Sequence, residues 1–407
     1  MDHSALIPHL FRTEYSKIIA VLCKTFGMDF LESAEDIASE TFSTAMLTWP
    51  YKGIPPHPTA WLYTVAKNKA KNQLWRSRKF NELSKDIKIE NHEMMYAYLD
   101  LSNHNIKDSQ LQMLFAICHP VISVESQIGL ALRILCGFGI DEIATAFLTN
   151  KETINKRLYR AKEKLRESDI QICPPNDPEI ETRLETVITT LYLLFNEGYY
   201  SETNDQIIRE DLCAEALRLA GILSENILTN TSEVNALLAL MNFQYSRIAA
   251  RKNNLGDIIL YDDQDDDLWD QVCIQKGVVY LHKASTGDKV SSLHLEATIA
   301  WWHTQKEDTK EKWNSILMLY DHLLKIKNTN WVALHRIYAM YKISGYKAAI
   351  IEIEKLPRLE NQYYYTLLGE LYVHEDKSKA RAYFIKAIQI TRLAQEKKLL
   401  EKKIMTI

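Results

Sequence analysis

A chain of 407 residues with only 12 Gly and 10 Pro has little of the material from which tight turns are made. Glycine supplies the positive φ and proline the preset φ that most turn types need. Together they are about 5% of this chain, against roughly 12% in average usage. Many short strands would need more turns than that, so the expected fold is all-α, helices joined by short polar loops. At about 150 residues per domain the length predicts two or three domains. With 46% apolar and 25% charged residues, the chain is too hydrophobic to stay unfolded.

Several function classes are excluded early. The longest apolar stretches, Val187 to Phe195 and Ile128 to Ile140, the latter broken by Arg133, are far shorter than the roughly 20 residues that span a bilayer. The start, MDHSALIPHLFRTEYSK, has no basic segment followed by an apolar core and a small-residue cleavage site, so a cytoplasmic protein without a membrane segment is expected. Six cysteines (Cys23, Cys118, Cys136, Cys173, Cys213, Cys273) form no CxxC and pair with no histidine. They read as buried thiols rather than zinc ligands or disulfides. GxGxxG, P-loop, GxSxG and HExxH motifs are absent, and the carboxylates sit on charged helical surfaces. No enzyme site and no cofactor or metal are expected.

Three helices can be read before residue 90. Leu10 to Phe26 carries Phe11, Tyr15, Ile18, Ile19 and Leu22 at helical spacing. Phe30 to Leu47 places Leu31, Ala34, Ile37, Ala38, Thr41, Phe42 and Ala45 on one stripe and Glu32, Glu35, Asp36 and Glu40 mainly outside it. After the loop WPYKGIPPHP at 49–58, a helix from Thr59 to beyond Arg78 has a basic polar face. Residues 91–107 read as a linker. Four helical segments follow, Ser109 to Cys118, Val124 to Cys136, Asp141 to Phe147 and Lys151 to Glu167. CPPNDP at 173–178 is a second break. Beyond it the pattern is helical to the end, and Tyr365, Leu368, Gly369, Tyr372, Ala380, Phe384 and Ala387 match most of one tetratricopeptide repeat.

Charge is informative by position. Residues 1–178 carry 21 Lys+Arg against 21 Asp+Glu, so net charge alone does not argue for nucleic acid. Two segments are nonetheless basic: eight cations against two anions from Lys67 to Lys88, and seven against two from Lys151 to Arg166. The second lies in IDEIATAFLTNKETINKRLYRAKEKLRES, a short helix, a turn and a long helix capped by Thr149 or Asn150. This is a helix-turn-helix layout, whose second helix enters a DNA major groove. Ile143, Ala144, Phe147, Ile154, Leu158, Ala161 and Leu165 would pack the pair. Lys151, Thr153, Asn155, Lys156, Arg157 and Arg160 would face DNA, the cations toward phosphate or guanine and Asn155 toward adenine.

This segment resembles the promoter-reading fourth region of bacterial sigma factors of the extracytoplasmic-function type, with Leu148 where many members have glycine. SAEDIASETFSTAMLTWP at 33–50 and PTAWLYTVAKNKAKNQLWRSRK at 58–79 resemble the second region of the same factors. The resemblance implies a polymerase-binding and −10-melting domain at 6–90, a −35-reading domain at 108–172, and core RNA polymerase and promoter DNA as partners. It assigns Glu35, Asp36 and Glu40 to the polymerase clamp and the loop from Trp49 to Pro58 to a flipped promoter base. Lys67, Asn68, Lys71, Asn72, Trp75, Arg76 and Arg78 suit the melted strand, since single strands are held by cations and stacking aromatics. Trp61, on the apolar stripe, reads as core.

Residues 179–407 resemble the fused helical-repeat extension of one subgroup, whose stacked helices would regulate in cis or hold a protein partner. The acidic phrase DQDDDLWD at 263–270 fails as a calcium loop, with Leu268 and Ile274 where Gly and Glu are needed, and reads as a helix start. His294 and His303 read as partly buried structural residues. Two competing readings stay open: a helix-turn-helix regulator that binds DNA alone, and a helical-repeat adaptor.

Overall fold

The computed structural model describes residues 3–82, 99–147, 149–168, 170, 172, 177–199, 208–253, 258–287, 289–391 and 393–407, without the side chains of 3–5, 74–82, 177–179 and 181. The protein is all-helical, and no strand forms among the described residues. Helices α1 (His3–Phe26), α2 (Leu31–Lys52), α3 (Pro58–Glu82), α4 (Asn103–Ile117), α5 (Val124–Leu130), α6 (Ile140–Ala146) and α7 (Lys151–Glu167) are followed by α8 (Asp177–Tyr199). The chain divides into two compact units, Met1–Leu193 and Leu194–Ile407, so the division falls within α8 rather than at the CPPNDP break.

The first unit is organised around α1. Ile18 to Cys23 are six consecutive buried residues, a run that a one-sided amphipathic helix does not produce. The helix is covered on several sides because α2 and α3 pack on it, and so do α4 and the π-helical turn Ala131–Leu135 after α5. Gln110 of α4 donates to the Ser16 hydroxyl at 3.2 Å, both side chains buried. Lys24 donates to Asn105 and Asp108 at 2.8 and 3.1 Å. The segments expected to form separate domains at 6–90 and 108–172 are therefore one packed body, and α4 starts inside the expected linker. Residues 83–98, including 91–98 of that linker, lie outside the described residues.

Near the first break, α2 runs past Leu47 through Pro50 to Lys52, and Gly53 ends it with φ 81° and its N–H on Trp49 O at 3.0 Å. That positive φ costs glycine nothing and a side chain something. Trp49 is thus a buried helical residue set edge-on to Trp61 at 5.4 Å, not a loop residue. Trp61 is half-buried, on the apolar side of α3 as expected.

In α8, Arg183 donates to Phe115 O at 2.8 Å and the Thr190 hydroxyl to Gln127 Oε1 at 2.7 Å, which ties its first turns to α4 and α5.

The second unit consists of helical hairpins: α9 (Glu210–Glu225), α10 (Ser232–Tyr245), α11 (Gln271–Ala284), α12 (Ser292–Trp302), α13 (Lys310–Ile326), α14 (Asn330–Ser344), α15 (Tyr346–Ile353), α16 (Gln362–Tyr372), α17 (Lys377–Ile390) and α18 (Ala394–Thr406). Every position of the repeat-like pattern from Tyr365 to Ala387 is buried between α16 and α17. A Cβ at Gly369 would stand 2.6 Å from the Phe384 ring, so the aromatic requires the glycine. The acidic phrase opens α11: Asp270 accepts from the Val272 and Cys273 amides at 2.9 and 3.0 Å. No group of potential metal ligands occurs among the described residues. Cys23, Cys118, Cys136 and Cys213 are buried and Cys273 half-buried, none of them in a disulfide; Cys173 lies outside the described residues.

Three histidines are expected to make the second unit less stable in acid. His303 lies against Tyr261 (5.3 Å) and Trp313 (6.0 Å). Burial, and then the charges of Arg247 and Lys312, hold it well below its ordinary value. Burial also lowers His335, beside Trp331, and His294, which accepts from the Ser291 amide. A base depressed in the folded state binds its proton more readily when unfolded. Its stabilising contribution is complete above about pH 6.5 and is lost as the pH falls below it, at up to ~1.4 kcal/mol per pH unit per histidine. Urea unfolding followed by tryptophan emission should give a lower midpoint at pH 5.5 than at pH 7.5, and His303→Leu should flatten the difference. Equal midpoints at the two pH values would contradict this account of the histidines.

Candidate nucleic-acid interface

Helices α6 and α7 form because of local signals. The Gly139 amide donates to Glu142 Oε2 at 2.7 Å, closing the first turn of α6. At the start of α7 the Asn150 carboxamide accepts from the Thr153 amide at 2.8 Å, filling the helix N-cap. Ile143 and Ala144 of α6 and Ile154, Leu158, Ala161 and Leu165 of α7 are buried, while Phe147 is half-buried with the Arg157 guanidinium over its ring at 5.5 Å. Leu148 in the turn lies outside the described residues.

The apolar stripe leaves α7 with two polar flanks. Along one flank Thr153, Lys156, Arg157, Arg160 and Lys164 line an open cavity of about 470 Å³, closed on the far side by Ser123 and Ser126 at the start of α5. Four cations converge there. Glu125 lies close enough to feel Arg157, although its carboxyl is held below the usual range mainly by its own backbone amide and Ser123. A groove of this kind suits a phosphate backbone, to which cations and hydroxyls supply most of the affinity. The structure thus brings Thr153, Lys156, Arg157 and Arg160 together. It leaves Lys151, exposed and paired with Asp141 at 2.6 Å, and Asn155 away from the cavity. Sequence reasoning missed Lys164, which continues the i, i+4 series from Lys156 and Arg160, and the two serines, which only packing brings opposite α7.

Asn155 belongs to the other flank, with Tyr159, Lys162 and Arg166. Here Lys162 and Arg166 point at α2 and the turn that precedes it. Arg166 pairs with Asp29 at 3.3 Å, and Lys162 donates to Glu35 Oε2, whose Oε1 accepts from Arg133 Nε at 3.0 Å. This corrects the expected outward placement of Glu35. Its side chain is buried, because position 35 lies four residues after Leu31 and one after Ala34, within the apolar stripe. Asp36 and Glu40 are exposed as expected, and Glu40 accepts from Lys69 at 3.0 Å. Met46, Leu47 and Tyr51 are exposed apolar side chains on the same helix.

On α3, Lys67, Asn68, Lys71 and Asn72 share one exposed face, and Lys67 reaches Leu99 O at 3.4 Å. The side chains of Trp75, Arg76 and Arg78 lie outside the described residues. Below this face Leu62, Ala66 and Ala70 are buried, and the Tyr63 hydroxyl donates to Glu14 at 2.5 Å.

Comparison with known proteins gives this geometry a family. Residues 10–80 match Sigma-70 region 2, which supports a sigma-70-type second region in this part of the chain. Residues 183–285 match a family of unknown function, DUF6596. The chain is 31% identical over 375 residues to the "Uncharacterized protein R00370" of Rhizobium meliloti (strain 1021), covering 90% of this chain and 88% of that one, and it belongs to the same family. No solved structure matches it. No described helix is long and apolar enough to cross a membrane.

Proposed function

We propose that the chain is an initiation factor of the extracytoplasmic-function sigma type, which binds core RNA polymerase and selects promoters. In this reading residues 6–90 dock on polymerase through Asp36 and Glu40 and hold the melted −10 strand on Lys67, Asn68, Lys71 and Asn72. Residues 108–172 read the −35 element through α7, and the helical hairpins of the second unit regulate the factor or hold a protein partner. The observation that carries the reading is the cavity lined by Lys156, Arg157, Arg160 and Lys164, on a helix-turn-helix in a chain that carries a sigma-70 region 2. Four cations offer few phosphate contacts, so affinity for free duplex is weak and polymerase must supply the remainder. The test is size-exclusion chromatography with core polymerase and a gel shift without it. Co-elution with polymerase and no shift of free duplex is the expected result. A tight shift on a palindromic duplex in the absence of polymerase would favour a stand-alone regulator.

A further inference from the structure

We infer that the second unit holds a binding site for a small phosphate-bearing anion, built from Arg247, Arg251, Lys312 and the Trp269 indole around the ring of Tyr261. All of these residues belong to the second unit, and the site does not depend on the promoter-selecting role of the first. Arg247 and Arg251 stand in the turn after α10, Trp269 ends the acidic phrase, and Lys312 is in the first turn of α13. The Arg247 guanidinium is 5.3 Å and the Lys312 ammonium 4.9 Å from the centre of the Tyr261 ring. The Trp269 ring is at 6.1 Å and the His303 ring at 5.3 Å. Arg251 lies 4.0 Å over the Tyr199 ring, and the Tyr199 hydroxyl accepts from Arg247 at 3.4 Å. Three cations are thus gathered in one place.

The carboxylates nearby are already engaged. Asp308 accepts from Trp313 Nε1 and from Lys342 at 2.9 Å, and Asp262 lies 3.9 Å from the same Lys342. Lys306 is turned to the carbonyls of Tyr261, Asp262 and Gln264. Among the described residues no carboxylate pairs with Arg247, Arg251 or Lys312, whose hydrogen bonds go to tyrosines and main-chain carbonyls. Lys312 is only 1% exposed. A buried charge is normally paired, and here the positive end of the α13 dipole opposes the cation as well. Burial, reinforced by Arg247 and Lys342 against the pull of Asp308, lowers the Lys312 ammonium to about 8. Against the effect of its own burial, the Tyr199 hydroxyl is brought below its ordinary value by Arg251 and Arg247. Donors are also left over: Arg247 Nε and Trp269 Nε1 are buried without a hydrogen-bond partner, and so is His303 Nδ1. Leaving such groups unpaired is costly. A phosphate group answers both the excess charge and the idle donors. It carries close to two negative charges and several strong acceptor oxygens, and guanidinium and ammonium groups are its usual partners. Arg247, Arg251, Tyr261 and His303 are half-buried, so the site reaches solvent.

The experiment follows the indole N–H resonances of the full chain, with isotopically labelled tryptophan, during titration with sodium phosphate at an ionic strength held constant by sodium chloride. The Trp269 resonance is assigned with Trp269→Phe. It should shift saturably with phosphate in wild type. Lys312→Met and Arg247→Gln should each raise the half-saturating phosphate concentration at least about 10-fold, as expected for the loss of one charged hydrogen-bond donor. Their other indole resonances should stay in place, which reports an intact fold. Lys312→Met should also melt no lower than wild type in chloride alone, because it removes an unpaired buried charge. Glucose 6-phosphate serves as a second probe. Tighter binding than inorganic phosphate would support the site and make a phosphorylated metabolite its ligand; weaker binding would support the site with free phosphate as ligand. No saturable shift of the Trp269 resonance in wild type would overturn the site. So would an equal shift with sodium chloride alone, or a wild-type response in both folded variants. A saturable response to acetate without one to phosphate would overturn the assignment of a phosphate.

Discussion

Replacing both Arg157 and Arg160 by Ala is expected to abolish promoter-directed transcription while leaving polymerase binding intact. Both guanidinium groups line the same cavity on α7, and each well-placed contact of this type contributes ~1–3 kcal/mol. Together the loss corresponds to roughly 30-fold to 10⁴-fold in promoter occupancy. Stability should barely change, because Arg160 is exposed and Arg157 gives up its contact with Phe147, worth about 0.5–1 kcal/mol, and a weak charge interaction with the mostly solvated Glu125. Multiple-round transcription with the purified double variant and core polymerase measures the effect, with thermal unfolding as the control for folding. Activity equal to wild type would remove α7 from promoter reading and favour the adaptor alternative.

The second large effect concerns where the chain can be cut. A protein ended at Pro178 loses the part of α8 that belongs to the first unit, including Ile180, Leu184, Val187, Ile188 and Leu191, all buried. Burial of each such side chain contributes ~1.5–3 kcal/mol at most. Loss of Thr190 also leaves Gln127 Oε1 buried without its donor, at ~1–3 kcal/mol. That total rivals the ~5–15 kcal/mol stability of a whole domain. The shortened protein should be unfolded or aggregated at 37 °C, whereas one ended after Tyr199 should melt cooperatively. Indistinguishable melting curves would show that the start of α8 contributes nothing to the first unit. A test of the second unit as a regulator therefore has to cut after the helix and not before it.

These two predictions mark the limits of what local sequence encodes. The bounds of α7, its Asn150 cap and the buried stripe from Ile154 to Leu165 follow from a 3.6-residue period and a capping side chain, and all appear where the sequence placed them. So do the buried positions of the α16–α17 hairpin. Pro50, a strong breaker in the mean, predicts an earlier end to α2, yet the helix carries it and stops only at Gly53. Glu35 was misplaced for a different reason. Its position within the stripe is visible from its spacing to Leu31 and Ala38, but a buried carboxylate is tolerated only with partners, and those lie 98 and 127 residues away. The same non-local packing covers α1 on several sides and carries α8 across the apparent boundary. The exposed face of α3 was legible as a row of Lys and Asn at helical spacing.

The central claim is that this chain gives core polymerase a choice of start site. The direct measurement is transcription by core polymerase on a library of promoter fragments, with the 5′ ends of the transcripts mapped with and without the full chain. The account predicts new, discrete start sites that share upstream elements near −35 and −10, that depend on the chain, and that fade steeply as salt is raised. Transcripts whose 5′ ends are unchanged by adding the chain, at concentrations where it binds polymerase, would contradict it.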